Sequence, residues 1–284
     1  MFNRDKIFFI TFFYSLVVWA FLIPKIHAGG DEMKDLQDIT ASEWGSLQDV
    51  TMYFGHQSVG ENILDGIALL KDENQNIKLS VREGNTADQL QIGVLLQSKI
   101  GENGNPESKI NAFKKIIDEG LGNHANIAFF KFCYIDFSAK TKPDEVFKAH
   151  KIVMDELEQA YPKTLFIHST VPLVAIQHGA KTWIKKLLGK TLDGVNGNIV
   201  RNRYNKLLRK EYGENVIFDI ARAESTKPGG NRENFTKDGE PYFAMYRGYT
   251  SDGGHLNTKG RKHVASTFLE TLLEAADKWQ FAAD

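Results

Sequence analysis

Val50-Thr51-Met52-Tyr53-Phe54-Gly55-His56-Gln57-Ser58-Val59-Gly60 joins a short apolar, β-prone run to the start of a helical pattern. Val50 to Phe54 has the composition of a buried strand, and Gly55 ends it. Val59, Ile63, Ile67 and Leu70 follow at spacings of four, four and three, which puts them on one face of a helix. A strand, a tight turn and a helix in direct succession open a βαβ unit.

Outward from that junction the alternation continues. Ile77 to Val81 is a second strand candidate, and Asn105-Pro106 starts a helix whose apolar face holds Ile110, Phe113 and Ile117 and which stops at Gly120. Asn126 to Cys133 is the strongest strand signal. Pro143 opens a helix with Val146, Ala149, Val153, Leu157 and Ala160 in phase, closed at Tyr161-Pro162. Thr164 to His168 is a fourth strand, Ile199 to Tyr212 a helix, Val216 to Ile220 a fifth strand, and Thr258 to Asp277 the last helix. Five apolar strands alternating with helices predict an α/β fold of three α/β/α layers around a doubly wound, five-stranded parallel sheet. Its functional site is expected at the carboxyl ends of the strands. Ala223 to Gly254 interrupts the alternation with a Gly-rich stretch carrying Tyr242, Phe243, Tyr246 and Tyr249. A loop that long in a compact domain points to a lid or substrate wall, with Tyr246 and Tyr249 as candidate substrate-binding residues.

Composition narrows the function classes. Charged residues make up 25% of the 284-residue chain and hydrophobic ones 42%, as in ordinary globular proteins. Lys and Arg (35) nearly balance Asp and Glu (36), so no basic field exists to hold a phosphate backbone, and nucleic acid is not an expected partner. The head is different. Ile7 to Pro24 carries no charge, is preceded by Arg4 and Lys6, and is followed by Lys25-Ile26-His27-Ala28-Gly29. This is the layout of a secretory signal peptide over residues 1–28, with Ala28 before the cut; its length also leaves room for an uncleaved membrane anchor. Either version predicts export, to a periplasmic or extracellular location, of a single domain spanning residues 29–284. The single Cys133 excludes an intramolecular disulfide, so packing alone must hold that domain.

Two short constellations carry chemistry. Ser58 stands at the carboxyl end of the first strand and at a helix N-terminus, where backbone N–H groups and the helix dipole favour a developing negative charge. An acyl-transfer nucleophile needs that setting, because its tetrahedral intermediate is an oxyanion. The competing reading is a capping box, Ser58 to Glu61, in which Ser58 only satisfies the helix end. Ser251-Asp252-Gly253-Gly254-His255 lies immediately before the last helix. Two glycines let Asp252 turn back to the imidazole of His255, fix its tautomer and stabilise the imidazolium. Ser58, Asp252 and His255 fall on loops at the same edge of the predicted sheet.

Other residues fit simpler roles. Cys133 suits a buried core, and Asp219 suits anchoring a loop at the end of its strand. His56, His168 and His178 lack metal-binding spacing, so neither a metal nor another cofactor is expected. The Gly101 to Pro106 stretch lacks the Lys-Ser/Thr of a phosphate loop and suits a loop capped into a helix.

A Ser after the first strand and an Asp-x-x-His block before the last helix, on an α/β/α chain, resemble the SGNH hydrolase superfamily, the GDSL-like esterases and lipases. The resemblance spans about residues 50–277 and is that of a divergent member: His56-Gln57-Ser58-Val59 stands where the family has Gly-Asp-Ser-Leu. It implies the flavodoxin-like SGNH fold and a Ser58, Asp252, His255 triad. It also implies oxyanion donors from the Ser58 N–H and from a Gly after the second strand, for which Gly84 is the candidate. The family's oxyanion Asn, in a Gly-x-Asn-Asp block after the third strand, has no counterpart in Lys131-Phe132-Cys133-Tyr134-Ile135-Asp136, which leaves Asn85 or a donor within that segment as substitutes. The expected function is ester cleavage on a small-molecule or glycan substrate, without cofactor. An acyltransferase on the same triad, or a non-catalytic glycan-binding envelope protein, are the alternatives.

Overall fold

The structure, a computed structural model, describes residues 36–176 and 194–283. The apolar head, the cut after Ala28 and His178 lie outside them. A short helix α1 (Ala41–Gly45), capped reciprocally by Thr40 and Glu43, leads into strand β1 (Met52–His56), which is buried along its whole length. β1 is the centre of a parallel five-stranded sheet with order β2-β3-β1-β4-β5, where β2 is Ser80–Glu83, β3 Val94–Lys99, β4 Ile127–Phe130 and β5 Leu165–Phe166.

Successive strand residues point to opposite faces, and the core divides accordingly. Met52, Phe54, Leu95, Ile127 and Phe129 pack with Val59, Ile63 and Ile67 of helix α2 (Ser58–Glu73). Tyr53, Leu96, Ala128 and Phe130 pack with Ile110, Phe113 and Ile117 of α3 (Pro106–Asp118) and with Met154 and Leu157 of α4 (Pro143–Ala160). Tyr204 and Leu208 of α5 (Val195–Tyr212) join this second layer. After a short helix α6 (Ile220–Ser225), the long helix α7 (Thr258–Ala283) returns to the first layer through Val264, Phe268 and Leu272. The expected three-layer α/β/α architecture is therefore present.

Two strand assignments change. Ile77 and Leu79 are buried, but the strand itself is Ser80–Glu83, four exposed residues at the sheet edge. The true neighbour of β1 is β3, which sequence periodicity passes over because Gln97, Ser98 and Lys99 interrupt its apolar run. Two of these polar groups are satisfied inward: Ser98 Oγ bonds Tyr53 Oη at 2.8 Å and Gln97 Oε1 lies 2.7 Å from His56 Nε2. The fifth expected strand is short. Strands β6 (His168–Ser169) and β7 (Ile217–Phe218) pair with each other as a continuation of β5, with Ile167 N–H still bonded to Ala128 O and His168 N–H to Val216 O. Leaving aside the edge strand β2, the spatial order β3-β1-β4-β5/β6-β7 is the 2-1-3-4-5 order of a flavodoxin-like sheet.

Ala223 to Gly254 is not a structureless lid. It contains the end of α6 and a hairpin, β8 (Asn234–Lys237) and β9 (Glu240–Phe243), turned at Asp238 and Gly239, both with positive φ. Asn202 on α5 exchanges two hydrogen bonds with the Phe243 backbone, at 2.9 and 3.0 Å. Tyr249 is core, buried and stacked on His263, and Tyr246 leans edge-on against it. Tyr249 is thereby unavailable as a substrate wall.

Candidate active site

The exit of β1 is shaped by what lies beneath it. His56 is buried, its Nδ1 is 2.9 Å from Gln57 O, and its ring stacks on Phe54. A Cβ at residue 60 would run into the His56 ring, so only glycine lets the first turn of α2 close over it. Gln57 is the N-cap residue, in an extended conformation and with no capping side chain, and its carbonyl accepts from Gly60 and Glu61. The capping-box reading of Ser58 and Glu61 is thus not realised. Ser58 is the first helical residue, and Glu61 pairs with Lys99 at 2.7 Å.

Freed from capping, Ser58 Oγ lies 3.1 Å from His255 Nε2. On the other side of the ring, His255 Nδ1 lies 2.7 Å from Asp252 Oδ2. The second carboxylate oxygen of Asp252 accepts from the N–H groups of Gly254 (2.9 Å) and His255 (2.8 Å) and from Thr250 Oγ1. Desolvation acts to raise the Asp252 pKa, but these N–H bonds and the imidazole outweigh it and hold the carboxyl well below the usual carboxylate range. Gly253, with φ of 99°, makes the tight turn, and its carbonyl receives Ala175 N–H at 2.8 Å. The structure thus brings Ser58, His255 and Asp252 together through these two contacts.

Several supports are visible only in three dimensions. Asn62, one turn after Ser58 on α2, accepts the N–H of Leu256 at 3.0 Å and so ties the His255 loop to the serine's helix. Tyr134 packs edge-on against the His255 ring, at 5.6 Å between centroids, and fills the space where a side chain at residue 254 would project. Asp136, buried with Lys109 in a 2.6 Å ion pair, also accepts from the N–H groups of Gly104 and Cys133. That one carboxylate thereby joins the loop after β3 to the loop after β4.

The oxyanion assignment needs correction. Gly84 follows the edge strand β2, one strand removed from β1, and its N–H is bonded to Gln97 O at 2.9 Å. Asn85 sits in the same turn, its N–H on Gln89 Oε1. The glycine that follows the strand next to β1 is Gly101. Among the described residues, the N–H groups of Ser58, Val59 and Gly101 have no acceptor.

The remaining candidates fall into structural roles. Cys133 is buried. Asp219 caps α6 and takes two bonds from Arg209. Asn105 caps α3, with Pro106 in its first turn. Among the described residues no cluster of three or more His, Cys, Asp or Glu could hold a metal, and no helix is long and apolar enough to cross a membrane.

No protein-family model matches the chain, and no curated protein matches it. Among solved structures, the chain is similar to a putative platelet activating factor from Streptococcus pneumonia, at 10% identity, TM-score 0.46, over 82% of this chain and 90% of that one. It is similar to a carbohydrate esterase family 3 protein from Talaromyces cellulolyticus at 12% identity and TM-score 0.43, over 80% and 97%. A third is the periplasmic domain of a lipopolysaccharide acetyltransferase from Salmonella ser. Paratyphi A, at 11% identity and TM-score 0.44, over 82% and 88%. The sheet order is itself decisive for architecture. The fold is a three-layer α/β/α sandwich with flavodoxin-like sheet order. In the loop after β4, where the resemblance implies an oxyanion Asn, Tyr134 packs on His255 and Asp136 is paired with Lys109.

Proposed function

We propose that this chain is an exported serine hydrolase that cleaves carboxylic esters. The observation that carries the reading is the unbroken line of contacts from Asp252 Oδ2 through the His255 ring to Ser58 Oγ. Ser58 Oγ attacks the acyl carbon while its proton passes to His255 Nε2, and Asp252 stabilises the imidazolium. The carbonyl oxygen becomes an oxyanion facing the free N–H groups at the start of α2. As the tetrahedral intermediate collapses, the ester C–O bond breaks and the leaving alkoxide takes the proton from His255. Water, deprotonated by His255, then attacks the acyl-enzyme and releases the acid and Ser58.

Export rests on the charge-free head, Ile7 to Pro24. The His255 and Asp252 side chains are 41% and 58% exposed, so an acyl group carried on a polymer can reach Ser58 without threading a cavity. An O-acylated glycan is accordingly the substrate class to test first.

Residues 29–284 should be treated with a fluorophosphonate probe beside Ser58→Ala and His255→Ala. One adduct, lost in Ser58→Ala and slowed in His255→Ala, is expected; an unlabelled parent or an equally labelled Ser58→Ala overturns the nucleophile. Acetate release from an acetylated glycan, with and without a free sugar acceptor, then separates the outcomes. Transfer to the acceptor in preference to water makes the protein an acyltransferase.

A further inference from the structure

Gln57 lies between His56 and Ser58 and takes no part in the relay, yet both hydrogens of its side-chain amide are engaged. Nε2 donates to Ile100 O at 3.0 Å and to Gly101 O at 2.9 Å, two successive carbonyls at the exit of β3. In a trans peptide the C=O and N–H point in opposite directions. Drawing Ile100 O onto Gln57 therefore turns the Gly101 N–H away from that amide, and it has no acceptor among the described residues.

Gly101 is constrained as well. Its φ is 56°, and a Cβ there would lie 2.7 Å from the Lys109 backbone, so no other residue fits the turn. Lys109 is in turn fixed by its buried pair with Asp136, which also receives Gly104 N–H. The loop is gripped from below by that ion pair and from the side by Gln57.

We propose that Gln57 is a positioning residue that holds the Gly101 turn beside Ser58, so that the Gly101 N–H joins the backbone N–H groups at the start of α2 in the oxyanion site. This rests on Ser58 being the nucleophile. It fits the loop after β4, where no Asn stands, Tyr134 braces His255 and Asp136 is committed to Lys109. A backbone donor has no rotamer to adjust, so its alignment depends on what fixes the loop. One oxyanion donor is worth about 10²–10³ in kcat, and a misplacement of about 1 Å costs about 10².

The test compares Gln57→Met, which keeps length and removes both donors, and Gln57→Asn, which keeps the amide and loses reach, with Ser58→Ala. Turnover of p-nitrophenyl acetate and the inhibition constant of a trifluoromethyl ketone, which forms an anionic hemiketal on the serine, are measured beside the melting temperature. Both Gln57 variants should lose about 10–10³-fold in kcat with KM changed less than about threefold, and ketone affinity should fall in parallel. Parent-like kcat in either folded variant, or a kcat loss without loss of ketone affinity, overturns the role of Gln57. Parent-like turnover in Ser58→Ala overturns the nucleophile itself, and the proposal with it.

Discussion

Asn62 Oδ1 receives the backbone N–H of Leu256 at 3.0 Å, one helical turn past Ser58 and one residue past His255. The serine and the imidazole stand 197 residues apart in the chain, and this bond fixes the loop of one to the helix of the other. Asn62→Ala leaves a buried N–H unsatisfied, which should cost about 1–3 kcal/mol and about 10–100-fold in kcat through displacement of His255. Asn62→Asp keeps the acceptor and should recover most of both. Urea denaturation and esterase turnover measure the two effects; an Asn62→Ala variant that loses stability but keeps full turnover makes the contact structural only.

The Lys109–Asp136 pair is fully buried, and Asp136 also satisfies the N–H groups of Gly104 and Cys133. Removing one partner strands a charge in the interior, so Asp136→Ala should destabilise by about 3–5 kcal/mol. Lys109→Met combined with Asp136→Asn should be less destabilised than Asp136→Ala, because no unpaired charge remains and the amide oxygen still accepts one N–H. Thermal melting of the two variants beside the parent checks the order.

Glu224 on α6 is fully buried, with one oxygen on Leu173 N–H at 2.6 Å. Burial pushes its carboxyl up to about 8, against the pull of that bond and of Lys131 and Arg201. The folded state thus keeps a proton that the unfolded chain releases above about 4.5. Stability should therefore fall as pH rises from about 4.5 to about 8, by up to about 1.4 kcal/mol per pH unit. Glu224→Gln, which keeps an acceptor for Leu173, should be more stable than the parent at pH 8, with the gap narrowing toward pH 5. Urea titrations at both pH values decide it; a pH-independent gap rejects the protonated carboxyl.

The outline of this molecule was legible wherever the signal is local. The apolar run before Gly55, the helical phase from Val59, and the two glycines between Asp252 and His255 each state their geometry within a few residues. What escaped depends on partners far away in sequence. β3 was hidden because Gln97 and Ser98 look like surface residues until His56 and Tyr53 are seen to receive them. Gly84 stands out as the oxyanion glycine for the same reason: an unseen strand shifts which glycine follows the neighbour of β1. Tyr249 resembled a ligand-facing aromatic because nothing in its own segment announces His263 and Tyr246 as its packing partners.

The distance in sequence between Ser58 and His255 also sets an order in time. Strand β1 and helix α2 are made early, but the imidazole that meets Ser58 arrives with the turn before α7, and α7 packs along α2. A growing chain carries Ser58 without its imidazole partner until α7 has docked. The contact between Ser58 and His255 is thereby reserved for molecules in which α7 has docked on α2.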